Sequence, residues 1–240
     1  MTKQRVVAVC LAIVVSLILL ATFGRSLWVP FYYELRGRRT VDDVLRSYGP
    51  QARATWAERL KATGVAYPPS SLTFIVIKSE RRLEVWIPKD GAHVRIAEYP
   101  ILAASGTSGP KLREGDNQVP EGIYVIEGLN PNSSYHLSMK VNYPNAFDRE
   151  RGKEDRRNNL GGDIFIHGKR ASIGCLAMGD PTIEELFVLV ADVGHAHTDV
   201  IIAPCDFRTD CRDYPSSPAW TAGLYADIRS ELTAKFRPAN

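Results

Sequence analysis

A histidine and a cysteine that could form a nucleophilic pair, His167 and Cys175, lie close together in a glycine-rich stretch. A free thiol has a pKa near ~8.5, so little of the nucleophilic thiolate exists at neutral pH unless a neighbouring base takes the proton. An imidazole can be that base. Gly168 and Gly174 free the intervening backbone to turn and bring the two side chains together. The spacing therefore predicts a cysteine nucleophile, Cys175, that is activated by His167.

Backbone amides beside the nucleophile would complete such a site. Because Gly174 lets the backbone pass close to a carbonyl substrate, amides near Cys175 are candidates for an oxyanion hole, and Ser172 is a candidate to orient the site. The alternative is that Cys175 is a buried free cysteine packed as a small hydrophobic residue. No paired cysteine accompanies it, and His195 and His197 lack a carboxylate or cysteine at ligand spacing. We therefore expect neither a metal ion nor another cofactor.

A strand and a helix should hold these groups in place. The apolar triplet 164–166 is typical of a short strand, which would present His167 at the rim where it ends. After the cysteine, Asp180 is predicted to cap a helix whose first position is Pro181. Apolar residues recur at helical spacing to about residue 191, so this helix should pack below the active-site loop.

Three segments carry a family resemblance. Residues 166–180 read Ile-His-Gly-x-x-x-Ser-Ile-Gly-Cys-Leu-Ala-Met-x-Asp, which resembles the signature of the L,D-transpeptidase catalytic domain, the YkuD-like family, and most closely its YafK-like branch. Residues 119–124 resemble the Pro-Glu-Gly-x-Tyr strand entry of the family, and residues 143–148 resemble its Tyr-Pro-Asn-x-x-Asp segment. The similarity covers roughly residues 70–205.

The resemblance implies roles for particular residues, with Cys175 as the nucleophile and His167 as the base. It differs at Ile173, where most of the wider family has a second histidine, and the loop between base and nucleophile is shorter than in that majority. These differences leave the acyl acceptor open. Five further positions are expected at the site, three as supporting or oxyanion-hole residues and two in contact with substrate: Ser172, Gly174 and Gly168, and Tyr143 and Asn145.

The same resemblance implies a substrate and a reaction. The Cys175 thiolate would attack the amide carbonyl at the L-centre of diaminopimelate in a peptidoglycan stem peptide and form a thioester. With an amine as acceptor the enzyme is a transpeptidase. With water it is a hydrolase that releases a murein-bound lipoprotein or peptide. A third reading, from a different class of protein, is a wall-binding module without turnover.

The N-terminal segment predicts export. Residues 6–23 form an apolar run without a charged side chain, and Lys3 and Arg5 precede it. The run is long enough to span a membrane, and no clean Ala-x-Ala cleavage site follows. We expect residues 1–25 to anchor a periplasmic domain in the inner membrane, with a cleaved signal peptide and a secreted protein as the alternative.

Composition limits the class of partner. The 240 residues carry a formal net charge of +3 and contain no long block of like charges, so nucleic acid is not an expected partner. A chain of this length can bury a full core without a disulfide framework. In an exported segment, Cys205 and Cys211 could nevertheless pair across their short loop.

The hydrophobic pattern predicts four regions. After the anchor or signal segment, residues 26–69 read as a juxtamembrane linker with two helices, one following Thr40 and one over residues 52–63. Residues 70–205 contain short strands separated by turns and form the catalytic domain, and residues 206–240 are a C-terminal extension. The predicted fold class is mainly β with flanking helices, an antiparallel sandwich or barrel, plus the N-terminal transmembrane helix, and the family resemblance implies that the β domain is of the L,D-transpeptidase type.

Overall fold

The chain contains two compact units, Met1–Arg39 and Thr40–Asn240. Most of the predicted anchor, residues 1–25, lies outside the described residues, and within those residues no helix is both long and apolar enough to cross a membrane. The anchor therefore stays a prediction. The computed structural model describes residues 37–212, 214 and 216–237, together with residues 5, 11–16, 20 and 24.

Eight strands of the second unit form one sheet in the order β3-β2-β1-β8-β4-β5-β6-β7. The predicted mainly β class with flanking helices is confirmed. The strands are β1 (Leu72–Ile77), β2 (Arg82–Lys89), β3 (Ala92–Pro100), β4 (Gly122–Asn130), β5 (Ser138–Val141), β6 (Phe165–His167), β7 (Leu176–Ala177) and β8 (Thr198–Ala203).

The sheet is mixed, so the prediction of a purely antiparallel arrangement is wrong in two places. Strand β1 pairs with β8 in parallel, with Leu72 opposite Thr198, and β6 pairs with β7 in parallel, with Ile166 opposite Leu176. Parallel neighbours cannot be joined by a tight hairpin. A loop through residues 168–175 joins β6 to β7, and that loop carries the predicted nucleophile.

Four α-helices flank the sheet among the described residues, and the first of them replaces the two helices expected near the N-terminus. It begins at a capping box between Thr40 and Asp43 and continues through Pro50. Its buried face runs without a break from Val44 to Leu60, and the gain from this burial outweighs the hydrogen bond lost at the proline. The helices are α1 (Val41–Lys61), α2 (Ala146–Glu154), α3 (Asp180–Val193) and α4 (Thr221–Lys235).

Helix α1 is fixed to α3, the helix that follows the predicted nucleophile. The Trp56 indole N–H donates to the Glu185 carbonyl at 2.9 Å. Arg53 donates two hydrogen bonds of 2.7 Å to the Asp192 carboxylate. A planar guanidinium that binds a carboxylate through two bonds fixes both distance and orientation. Helix α1 therefore belongs to the support of the site.

Two hydrophobic cores lie on opposite faces of the sheet, and β1 contributes to both. Phe74 and Val76 belong to the core that contains residues of α1 and α3. Ile75 and Ile77 belong to the core that contains residues of α4. A strand buried on both faces reads as a continuous apolar run, as β1 does in the sequence. The C-terminal extension thus covers one face, and a disulfide between Cys205 and Cys211 links the last residue of the catalytic domain to this extension.

Candidate active site

The side chain of His167 is held at the end of β6, with only 2% of the residue exposed. Its ring lies against that of Tyr135, with 4.5 Å between the ring centroids. The Nδ1 atom lies 2.6 Å from the Gly168 carbonyl oxygen. A carbonyl can only accept, so Nδ1 carries the proton and Nε2 keeps a free lone pair. The imidazole is therefore oriented with Nε2 as the proton acceptor.

Burial determines the charge of this imidazole. Removal from water lowers the pKa of His167 below its ordinary value, against a smaller opposing effect from the Gly168 carbonyl. A histidine with a lowered pKa is neutral at neutral pH. It is thus already in the form that can take a proton.

The pairing of β6 and β7 brings the loop that carries Cys175 beside the candidate base. His167 lies opposite Ala177, and Cys175 is in the bend two residues before Ala177, just outside β7. Because neighbouring strands are ~4.8 Å apart, this loop and His167 are neighbours at the same edge of the sheet.

The Cys175 thiol is protonated in the resting site. It donates a hydrogen bond to the Asp163 carbonyl at 3.5 Å, and among the described residues no hydrogen bond joins it to His167. Burial raises the pKa of the Cys175 thiol, and the negative charge of Asp163 adds to that effect, while the Phe165 backbone and Lys111 oppose it. Both members of the pair are therefore neutral, and the thiol must lose its proton as it attacks.

Two serine hydroxyls accept hydrogen bonds from the backbone amides around Cys175. Ser172 Oγ accepts from the Cys175 N–H at 2.9 Å and donates to the Cys175 carbonyl at 2.6 Å, which fixes the backbone as expected for an orienting residue. The Gly174 N–H, a candidate for the oxyanion hole, donates to Ser105 Oγ at 2.5 Å. Gly174 has a φ of +102°, a conformation that glycine adopts without strain.

Ser105 was not among the residues selected from the sequence. It lies in a polar loop seventy positions before Cys175, which the Ser-Gly composition marks only as a loop. The sheet brings it close, because Ala103 forms a bridge with Ala177 on the free side of β7. Only this long-range pairing identifies Ser105 as a neighbour of the nucleophile.

The prediction that Asp180 caps α3 is wrong, and its carboxylate binds a different backbone amide. Gly179 is the N-cap of the helix, and the Asp180 carboxylate accepts the Lys169 N–H at 2.7 Å instead. A Cβ atom at Gly168 would lie 2.6 Å from Asp180 Oδ1 and 2.7 Å from the Tyr135 carbonyl oxygen. Gly168 is therefore required for this close approach, which holds the turn that follows the base.

The two predicted substrate contacts make intramolecular bonds. Tyr143 is 4% exposed, and its hydroxyl donates to the Leu160 carbonyl at 3.0 Å. Asn145 caps α2 by accepting from the Asp148 N–H, and its amide donates to the Ile123 carbonyl at 3.0 Å. Both residues shape the loops near the site. Their role in substrate binding stays a prediction.

The other histidine near this end of the sheet is already paired. His136 lies in a bend just before β5, with a φ of +75°. Its Nε2 atom is 2.7 Å from Glu184 Oε1. Ile173, which stands where a second histidine was expected from the family pattern, is 73% exposed. His167 is therefore the histidine best placed to serve Cys175.

A neutral imidazole with one free lone pair, a neighbouring thiol and a backbone fixed around that thiol are the groups that thiol-dependent acyl transfer uses. The fold and site are thus those of a candidate cysteine acyl-transfer domain. The family profile of the YkuD L,D-transpeptidase catalytic domain matches residues 72–202, more than half of the chain. The protein belongs to this family, and the resemblance in its motifs is confirmed.

One named relative and two solved structures are similar to part of this chain. YafK of Escherichia coli strain K12, whose name assigns it provisionally to the L,D-transpeptidases, is 37% identical over 117 residues. That match covers 48% of this chain and 45% of YafK, so it spans about half the length of either protein. The helical cell shape determining protein Pgp2 from Campylobacter jejuni is 23% identical, with 62% of this chain and 55% of Pgp2 covered and a TM-score of 0.48. Bd1075 from Bdellovibrio bacteriovorus is 23% identical, with 70% and 56% covered and a TM-score of 0.43.

Proposed function

We propose that this protein modifies peptidoglycan as a cysteine enzyme of the L,D-transpeptidase type, acting on stem peptides. One observation carries the proposal. The hydrogen bond from His167 Nδ1 to the Gly168 carbonyl leaves Nε2 of a neutral imidazole as a proton acceptor, and the pairing of β6 with β7 places the Cys175 loop beside it. Membership of the L,D-transpeptidase family supports stem peptides as the substrate.

The acylation step follows from these groups. His167 Nε2 takes the thiol proton while Cys175 Sγ attacks the carbonyl carbon at the L-centre of diaminopimelate. The carbon–sulfur bond forms, and the amide carbon–nitrogen bond to the next residue breaks. The imidazolium returns the proton to the leaving amine. A thioester acyl-enzyme and a neutral His167 remain.

The acceptor determines the product. An amine of a second stem peptide attacks the thioester and makes a new crosslink, and His167 takes the proton that this amine loses. Water in the same position gives hydrolysis, which would release a murein-bound lipoprotein or peptide. In both cases the sulfur leaves and is reprotonated, so Cys175 is restored for another cycle.

Mass spectrometry of muropeptides distinguishes these outcomes. The purified protein and its Cys175→Ser variant are each incubated with isolated peptidoglycan, and the digested products are compared. New crosslinks made only by the wild type identify a transpeptidase. Loss of a bound peptide identifies a hydrolase. Sedimentation of both proteins with peptidoglycan, without any product, would contradict the proposal and favour the wall-binding module.

We also propose that the catalytic domain works in the periplasm and that residues 1–25 hold it at the inner membrane. The uncharged run 6–23 and its basic N-terminal flank support this. Fractionation of cells that express the full chain tests it. A mature protein that starts near Arg25 and leaves the membrane fraction would show that the run is a cleaved signal.

A further inference from the structure

The two serines at the nucleophile differ in what their hydroxyl protons can do. Ser172 uses its hydroxyl twice, since it accepts from the Cys175 N–H and donates to the Cys175 carbonyl. Ser105 accepts from the Gly174 N–H, and within the described part of the chain its own O–H proton has no acceptor. The Ser105 oxygen therefore accepts a hydrogen bond from the backbone next to Cys175, and its hydroxyl proton is available for donation to another group.

The geometry points to Ser105 as a catalytic residue whose hydroxyl donates a hydrogen bond to the substrate oxyanion. When sulfur adds to the carbonyl carbon, negative charge develops on the carbonyl oxygen and needs donors that are already in place. In the resting site the Gly174 amide is bound to Ser105 Oγ. In the proposed chain the Gly174 amide donates to Ser105 Oγ, and the Ser105 hydroxyl donates to the oxyanion. Because hydrogen bonds in a chain polarise one another, the bond from the amide would make the hydroxyl a stronger donor.

The loop around Ser105 is held from both sides. On one side, the Leu102 N–H donates to the Ala177 carbonyl at 2.8 Å. On the other, the Gln118 side chain accepts from the Thr107 N–H at 2.9 Å and donates to the Thr107 carbonyl at 2.8 Å. A hydroxyl between two such anchors does not have to reorganise when the oxyanion forms.

A buried ion pair adds a further anchor at the end of this loop. Lys78 Nζ donates to the Gly109 carbonyl at 2.8 Å, and Glu121 accepts the Gly109 N–H at 2.7 Å. Lys78 and Glu121 are themselves 2.8 Å apart. Ser105 and Lys78 also line one cavity of about 190 Å³, so the loop and the ion pair face the same space.

The inference rests on the proposed acyl-enzyme, and the test compares two reagents that both modify Cys175. A β-lactam acylates the thiol through a tetrahedral oxyanion, whereas iodoacetamide alkylates it by direct displacement without one. Intact-protein mass spectrometry gives the rate of each reaction. The proteins are the full chain, Ser105→Ala and, as a matched control from the same loop, Ser108→Ala.

We expect Ser105→Ala to slow acylation by roughly the 10²-fold that one oxyanion donor contributes, and to leave alkylation within about twofold of wild type. Ser108→Ala should match wild type in both reactions. Acylation of Ser105→Ala at the wild-type rate or faster would overturn the inference. An equal fall in both rates would also overturn it, because it would mean that Ser105 only supports the thiol. If the wild-type thiol is alkylated but never acylated, the proposed function fails instead.

Discussion

Within the described ranges, arginines form ion pairs with Glu84 but not with His167, although both residues are almost fully buried. Arg208 donates two hydrogen bonds of 2.9 Å to the Glu84 carboxylate, and Arg95 donates a third at 3.1 Å. Burial alone would raise the pKa of Glu84. The hydrogen bonds and charge of Arg208 outweigh it, and the net pKa is lowered. Glu84 therefore stays charged because its charge is compensated.

The catalytic pair shows the opposite response to burial. Among the described residues His167 has no ion-pair partner, so burial shifts its pKa toward the neutral imidazole. Burial likewise shifts the pKa of Cys175 toward the neutral thiol. A compensated charge holds structure together, whereas an uncompensated neutral pair can exchange a proton during a reaction. The predictions below test whether the two regions differ in this way.

The largest effect should come from the nucleophile. Cys175→Ala removes the thiol that forms the proposed thioester, so we expect no detectable acyl-enzyme by mass spectrometry and no turnover of muropeptides. The thermal unfolding midpoint should stay close to wild type, because the residue is only partly buried. Turnover by a well-folded Cys175→Ala protein would show that Cys175 is not the nucleophile, and the contrast between a structural and a reactive region would fail.

The next effect should come from the base. His167→Ala should lower the acylation rate of Cys175 by roughly the 10²- to 10⁴-fold that a positioned acid–base group contributes. The rate is measured by mass spectrometry after mixing with a β-lactam, and circular dichroism checks the fold. A loss smaller than tenfold in a folded variant would mean that the proton goes elsewhere.

The pH dependence sharpens this result. A neutral imidazole is the active form, and its pKa is below the ordinary ~6.5, so wild-type acylation should lose rate only at pH values below that number. In His167→Ala the rate should follow thiolate formation instead. Because the thiol pKa is raised above the ordinary ~8.5, that rate should still climb through pH 8. Identical profiles would show that His167 does not activate Cys175.

The charged region should respond in stability rather than in rate. Arg208→Met leaves the Glu84 and Asp206 carboxylates buried without their main partner, which should cost about 3 to 5 kcal/mol of unfolding free energy. Urea denaturation measures the loss. Arg212→Met, which breaks an exposed pair with Asp210, is the matched control and should change little. The folded Arg208→Met protein should acylate at the wild-type rate. A slower acylation rate would show that the charged region around Glu84 also influences the site at Cys175.

The parts of the site that could be predicted from the sequence are those formed by neighbouring residues. His167 and Cys175 lie in one short segment, and their types specify the chemistry wherever the sheet places them. The strand before the base and the helix after the nucleophile have clear periodicity. Strand β1 was likewise visible as an apolar run.

Features that depend on distant pairing could not be predicted. Ser105 reaches Gly174 only because its loop joins the free side of β7, and the parallel pairing of β1 with β8 joins segments more than a hundred residues apart. Asp180 was expected to cap its own helix, because local rules do not include the Lys169 N–H that competes for its carboxylate. Local sequence patterns therefore predict hydrogen bonds between nearby residues but not those between distant segments.

The smallest expected effect comes from Asp163, a carboxylate whose charge raises the pKa of Cys175. Asp163→Asn removes that charge but keeps the backbone carbonyl that accepts the thiol hydrogen bond. The thiol pKa should fall, and alkylation by iodoacetamide at pH 7 should become about two- to threefold faster, since the side chain is 84% exposed and water screens it. Glu127→Gln is the matched control, because Glu127 lies 3.3 Å from the same Lys140 ammonium group without acting on the thiol. The gain should shrink in 1 M salt, where screening acts over about 3 Å. A gain that persists in salt, or appears equally in Glu127→Gln, would show that the thiol responds to loop packing and not to charge.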